Sequence, residues 1–127
     1  MKKLSKALSK LPSKIEKPIT GVTLKELNTV TITKERWEAY FTHINPKATK
    51  AEKAALRKKV KFERDLDGYD PSASFRFLLL VDGFTIKKLI ACYYQGWECD
   101  QWGALVTKDG NRYKAVSSHG GITYESY

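Results

Sequence analysis

The residues best suited to do chemistry in this chain are basic side chains between positions 47 and 64. This stretch holds eight Lys and Arg residues against two acids, Glu52 and Glu63, a local charge of +6. Five of the basic residues follow the spacing i, i+3, i+7, i+11, i+14, which places them on one face of a helix. These five are Lys50, Lys53, Arg57, Lys61 and Arg64.

Two interpretations of this basic face stay open. A lysine-rich face is often simply solvated, although like charges one turn apart destabilise a helix by roughly 0.2–0.5 kcal/mol per pair. Alternatively, the helix lies along phosphates, because each neutralised phosphate releases condensed counterions. On the second interpretation the nucleic-acid-binding residues are Lys47, Lys50, Lys53, Arg57, Lys58, Lys61 and Arg64.

The net charge of +9 is divided unevenly along the chain. Residues 1–64 carry 17 Lys and Arg against 6 Asp and Glu, whereas residues 65–127 carry 6 against 8. Eleven of the fifteen aromatic residues lie in the second half. This division predicts a polyanion or an acidic surface as the partner, with the aromatic half supplying much of the folded core.

Nucleophiles are present, but not in a catalytic pattern. Ser117, Ser118 and His119 are adjacent and precede two glycines, yet no G-x-S-x-G turn surrounds them. Neighbours in sequence rarely form a catalytic pair, since nucleophile and base must reach each other in space. We therefore predict that the protein is not an enzyme. A small enzyme without local motifs remains a hypothesis that ranks behind two binding functions, which are described below.

Candidate metal ligands are equally sparse. Asp65, Asp67 and Asp70 lie close together, but the glycine and glutamate of a calcium loop are missing from their required places. Cys92 and Cys99 have neither a redox nor a zinc spacing, although His43 or His119 could complete a site with them. The sequence predicts no cofactor, no metal and a pair of reduced thiols.

Two tryptophans are candidates for protein contact. Trp97 and Trp102 flank acidic residues in the segment 96–103. Large aromatic side chains anchor many protein interfaces. This segment therefore supports an alternative function, that of an inhibitor or adaptor docking on another protein.

The first 18 residues predict a basic, flexible tail followed by one globular domain over 19–127. The tail has six lysines against one acid, and Leu4, Leu8 and Leu11 form one stripe of a short helix. Such a short helix is marginal in water. The lysines could follow phosphates, whereas three leucines bury too little to anchor the chain on a membrane. With no apolar run of ~20 residues and no secretory signal, the sequence predicts a cytoplasmic protein without a membrane span.

The helical half is outlined by capping residues. The T-x-x-E spacing at Thr23 and again at Thr49 predicts a helix start at each position. A strand over 29–33 precedes a helix over 34–43, whose apolar stripe we assign to the core: Trp37, Tyr40, Phe41 and Ile44. The helix after Thr49 is expected to reach Val60 or Arg64.

The second half predicts a sheet. Residues 74–81 form a short apolar run typical of a buried strand, and residues 85–95 favour a helix, with a strand as the alternative. The Asp109-Gly110 pair predicts a turn that joins residues 104–108 and 112–116 in a hairpin. Residues 122–127 are predicted to form an edge strand.

Together these features predict an α+β fold: a single small domain whose basic helical N-terminal half packs on a small, mostly antiparallel sheet. The predicted function is a non-enzymatic binding protein that engages nucleic acid, DNA or RNA, mainly through phosphate contacts. The alternative is an inhibitor or adaptor that docks on an acidic surface of a protein or nucleoprotein machine, as small basic proteins of phages and mobile elements do.

Overall fold

The structure is a computed structural model that describes residues 14–62, 71–94, 99–118 and 121–127. The elements in chain order are β1 (Lys14–Pro18), α1 (Leu24–Leu27), β2 (Val30–Ile32), α2 (Lys34–Ala39), a π-turn (Tyr40–Ile44), α3 (Lys50–Arg57), β3 (Val60–Phe62), α4 (Ala73–Val81), β4 (Thr85–Tyr94), β5 (Cys99–Lys108), β6 (Asn111–Ser118) and β7 (Gly121–Ser126). The predicted mixed class is confirmed, with four helices and a five-stranded antiparallel sheet mostly in the C-terminal half.

These elements form two compact units. The helical unit covers residues 23–86, and the sheet unit combines residues 14–22 with 87–127. Within the described residues, no helix is long and apolar enough to cross a membrane.

The sheet unit is built on the strand order β1-β4-β5-β6-β7. The predicted hairpin at Asp109-Gly110 is confirmed: both residues have positive φ, 53° and 80°, as a tight two-residue turn requires. The predicted edge strand is confirmed as β7, whose Tyr124 lies opposite Ala115 of β6.

β1 corrects the prediction of a tail over residues 1–18. Lys14–Pro18 pairs antiparallel with β4, placing Ile15 opposite Tyr93. Glu16 also forms an ion pair across the sheet with Lys114 of β6, at 2.9 Å. Residues 1–13 of the predicted tail lie outside the described part of the chain.

Two elements have the opposite secondary structure to the one predicted: the predicted strand is a helix, and the predicted helix is a strand. Residues 74–81 lie in the helix α4, and residues 85–94 form the strand β4. Residues 89–92 of β4 are all buried, so an apolar spacing that resembles a helix arises from a strand covered on both faces. α4 is apolar almost all round, and a short apolar run has no periodicity that separates helix from strand.

Three threonines begin the helices α1, α2 and α3. The hydroxyl oxygens of Thr23, Thr33 and Thr49 each accept the backbone N–H three residues later, at 3.1 Å. Thr23 and Thr49 also donate their hydroxyl hydrogens to Glu26 and Glu52. Both predicted helix starts with T-x-x-E spacing are therefore confirmed.

α3 ends at Arg57 and does not continue to Val60 or Arg64 as predicted. The chain turns and forms β3, which pairs in parallel with β2 so that Val30 lies opposite Val60. Val60 is buried and Lys61 is exposed, an alternation typical of a strand.

The guanidinium of Arg76 joins α4 to the end of α1. Its Nη1 donates to the carbonyl oxygens of Glu26 and Leu27 at 3.0 Å and of Thr29 at 2.7 Å. Its Nε donates to Ser72 Oγ at 3.0 Å. Arg76 is buried, so these acceptors replace water for a charged group.

Asn28 makes a second connection within the helical unit. Its side-chain amide donates to the carbonyl oxygen of Ile86 at 2.9 Å and accepts the Ile86 N–H at 2.8 Å. These two hydrogen bonds give partners to both the backbone N–H and the carbonyl oxygen of Ile86, which is buried.

We expect Arg76→Met to lower the free energy of unfolding by about 3 kcal/mol or more, because buried carbonyl oxygens lose a charged donor. Urea unfolding followed by circular dichroism measures the loss. Arg36→Met removes an exposed arginine of the same unit and should change stability by no more than about 0.5 kcal/mol. Equal losses in the two variants would show that the Arg76 bonds do not stabilise the fold.

Candidate nucleic-acid interface

The predicted basic face is shorter than the sequence indicated. Lys50, Lys53 and Arg57 share one face of α3, as their spacing predicts. Lys61 instead lies on β3, because α3 ends at Arg57. Arg64 lies outside the described residues.

Two cations of this face lie over aromatic rings. The Nζ of Lys53 is 5.1 Å from the ring centre of Phe41, and the Cζ of Arg57 is 3.9 Å from the ring centre of Phe62. Arg57 also donates from Nη1 to the carbonyl oxygen of Val60. Cations so placed are attracted by the negative face of the ring, so this side of α3 is attached to the aromatic residues beside it.

Those rings belong to a cluster that forms much of the core of the helical unit. Trp37 lies 4.7 Å from Phe41 and 5.9 Å from Phe62, and Tyr40 lies 5.3 Å from Phe77, all between ring centres. The arrangements are edge-to-face, which ring quadrupoles favour. Tyr40 and Phe41 are buried, as their assignment to the core predicted.

Ile44 departs from that prediction, since 69% of it is exposed. The helix continues after Ala39 as a π-turn, in which the Asn45 N–H donates to the Tyr40 carbonyl oxygen at 2.9 Å. A π-turn holds one residue more than an α-turn. Ile44 therefore does not continue the stripe of Tyr40 and Phe41 into the core.

The other basic side chains near α3 face solvent. Lys47, Lys50, Lys58 and Lys61 are exposed, and no ion pair with another described residue engages them. Glu52 is the one acid between positions 47 and 62, against seven basic residues. We call the set Lys47, Lys50, Arg57, Lys58 and Lys61 the basic surface.

Arg57 is the member of the basic surface with contacts to both an aromatic ring and a backbone carbonyl. A guanidinium carries five N–H donors. Among the described residues, its hydrogen-bonded partner is the carbonyl oxygen of Val60, so four donors have no protein acceptor there. The contact of Arg57 with the ring of Phe62 was not predicted, although the alternation of Val60, Lys61 and Phe62 is a strand pattern that could have revealed it.

Of the two tryptophans predicted as candidates for protein contact, the structure describes Trp102. Trp102 lies in β5, is half-buried, and its backbone N–H donates to Ser117 Oγ at 3.0 Å. Trp97 lies outside the described residues. The structure therefore does not bring them together as a described surface.

Several of the nucleophile and metal candidates lie outside the described residues. Ser117 lies in β6, where its carbonyl oxygen accepts from the Gln101 side chain, while His119 is outside the described residues. The acids at positions 65, 67 and 70 are also outside them. The described part of the chain holds no group of three or more potential metal ligands, and its Cys92 is buried and forms no disulfide.

Comparison with known proteins adds no relative. No protein-family model, no curated protein and no solved structure matches this chain.

The environment of Tyr40 makes the helical unit sensitive to alkaline pH. Burial raises the pKa of its phenol above the usual 10.0, the charge of Asp82 adds to the rise, and a hydrogen bond with Asn45 opposes it. The folded protein therefore binds this proton more tightly than the unfolded chain does. The resulting stabilisation is complete below about pH 10 and is lost as the pH rises through the folded-state pKa.

We expect Tyr40→Phe to flatten the fall in stability above about pH 10, because phenylalanine has no proton to lose. Urea unfolding at a series of alkaline pH values measures the slope. Tyr124→Phe changes an exposed tyrosine of the sheet unit and serves as the matched control. If Tyr40→Phe kept the slope of the unchanged protein, the raised pKa would not contribute to stability.

Proposed function

We propose that this chain is a small, non-enzymatic nucleic-acid-binding protein whose basic surface contacts phosphates. The observation that carries the proposal is the placement of Arg57, which is stacked on Phe62, bonded to Val60 and still exposed to solvent. A guanidinium in this position, with donors that no described residue accepts from, fits the paired oxygens of a phosphate.

The stacking of Arg57 also lowers the entropic cost of binding. A free arginine side chain loses about 2 kcal/mol of rotamer freedom when it is held in one conformation. Contact with Phe62 and Val60 imposes much of that restriction before a ligand arrives. Preorganisation of this kind increases affinity without adding a contact.

The four lysines of the basic surface supply the remaining charge. They lie before α3, at its start, in the turn after it and on β3, so the positive charge extends beyond the helix. Lysine contacts phosphate as a point charge without base specificity. This arrangement supports binding that depends on the backbone more than on the nucleotide sequence.

The proposal also includes a cytoplasmic location. Thiols stay reduced in that compartment, and the buried Cys92, which forms no disulfide, agrees with it.

The salt dependence of binding tests the proposal. Five phosphate contacts predict a slope of log affinity against log salt near −4.5 on duplex DNA, a loss of roughly 500-fold between about 50 and 200 mM salt. Fluorescence anisotropy with labelled single- and double-stranded DNA and RNA measures it. The triple variant Arg57→Glu, Lys58→Glu, Lys61→Glu should make the slope shallower, with a magnitude of about 2 or below.

The matched control reverses three exposed lysines of the sheet unit, Lys87, Lys88 and Lys108, for the same change in net charge. It should leave the slope near its original value. If both triple variants weakened binding equally, the net charge of the protein would account for the binding, and the basic surface would not be its site. No binding to any of the four nucleic acids at about 50 mM salt would reject the proposed function.

A further inference from the structure

A second surface lies within the helical unit, in a groove between the α2–π-turn segment and α4. The groove is a cavity of about 420 Å³ open to solvent, a volume within the ~300–1,000 Å³ typical of binding pockets. One wall is formed by Arg36, Ala39, Tyr40, His43 and Ile44, and the other by Ser74, Phe77 and Leu78. None of these residues belongs to the basic surface.

The π-turn gives this groove its apolar edge. Ile44 lies four positions after Tyr40, a spacing that would continue the buried stripe of an uninterrupted α-helix. The bond from Asn45 N–H to Tyr40 carbonyl oxygen instead closes a wider turn, and Ile44 is exposed beside the groove. The exposed apolar surface of Ile44 is surface that a bound partner would remove from water, which favours binding.

The floor and walls of the groove are mainly apolar. Phe77 and Tyr40 are buried, Leu78 is half-buried, and Ala39 and Ile44 are exposed. On α4 the lining residues Ser74, Phe77 and Leu78 follow the spacing i, i+3, i+4 of one helix face. Two facing helix stripes make the kind of groove into which a third helix packs.

The described lining of the groove carries positive charge. Arg36 is a fixed cation, the imidazole of His43 offers an N–H donor, and no acidic residue is among the described residues that line the groove. Both side chains are exposed, and neither has a hydrogen-bonded partner among the described residues. Acidic side chains on a partner would therefore meet complementary charge at this edge.

We propose that the groove binds an amphipathic helix of a partner protein whose apolar stripe is flanked by acidic residues. The apolar stripe of the partner packs against Tyr40, Ile44 and Phe77, while its carboxylates pair with Arg36 and accept a hydrogen bond from His43. A nucleic acid is a poor occupant, because Arg36 is the one Lys or Arg among the described lining residues and the centre of the groove is apolar. The helical unit thus has two separate surfaces, one for phosphates and one for a protein helix.

The test uses three synthetic peptides of about 18 residues, long enough for an isolated helix to form in water. The first repeats leucine at helical spacing between glutamates, the second scrambles the same composition, and the third replaces glutamate with lysine. Binding is measured by isothermal titration calorimetry. We expect the first to bind at least about tenfold more tightly than either of the others.

Paired variants locate the site. Ile44→Glu places a carboxylate at the apolar edge and should weaken the first peptide at least about tenfold. Leu24→Glu introduces the same charge on α1 at another exposed apolar residue, 54% exposed, and should change affinity by less than about twofold. Arg36→Glu should lower the ratio of the affinity for the glutamate peptide to the affinity for the lysine peptide.

Other outcomes would overturn the proposal. Equal binding of the amphipathic and scrambled glutamate peptides would indicate non-specific attraction to the basic protein. Insensitivity to Ile44→Glu would place binding elsewhere. A dimer in sedimentation equilibrium that Ile44→Glu dissociates would assign the groove to a second copy of the chain. Each result is independent of nucleic-acid binding, since the basic surface is unchanged in these variants.

Discussion

The buried guanidinium of Arg76 is the constraint on which the helical unit depends. α1 is a single turn of four residues, and its last carbonyl oxygens need donors that the helix itself does not provide. Arg76 supplies them from α4, and Asn28 joins the same region to Ile86. Thr29, the residue before β2, is thereby held in position, because its carbonyl oxygen also accepts from Arg76.

The basic surface follows from the position of β2. β3 pairs in parallel with β2 and places Phe62 opposite Ile32. Phe62 then contacts Trp37 on one side and the guanidinium of Arg57 on the other. Two cations of α3, Lys53 and Arg57, therefore lie over rings of the aromatic cluster, whereas the lysines of the basic surface face solvent.

Local signals predicted much of this fold, and long-range pairing explains what they missed. The threonine caps and the Asp109-Gly110 turn depend on a few neighbouring residues, so both were predicted correctly. β4 and α4 were exchanged because burial on all sides removes the polar positions that reveal periodicity. The stacking of Arg57 on Phe62 depends on the end of α3, which only the short alternation over 60–62 signals. The exposure of Ile44 depends on a π-turn, which has no local pattern in the sequence. Composition predicted the basic site, but not the groove beside the π-turn.

The most direct test of the account is a nuclear magnetic resonance titration of nitrogen-15-labelled protein with short single-stranded DNA. The account predicts that the Nε–Hε resonance of Arg57 shifts together with the backbone amides of residues 47–62, because the stacked guanidinium binds phosphate. The resonances of the sheet unit should stay in place. Saturable binding that moves sheet-unit resonances and leaves Arg57 Nε–Hε unchanged would contradict the central claim.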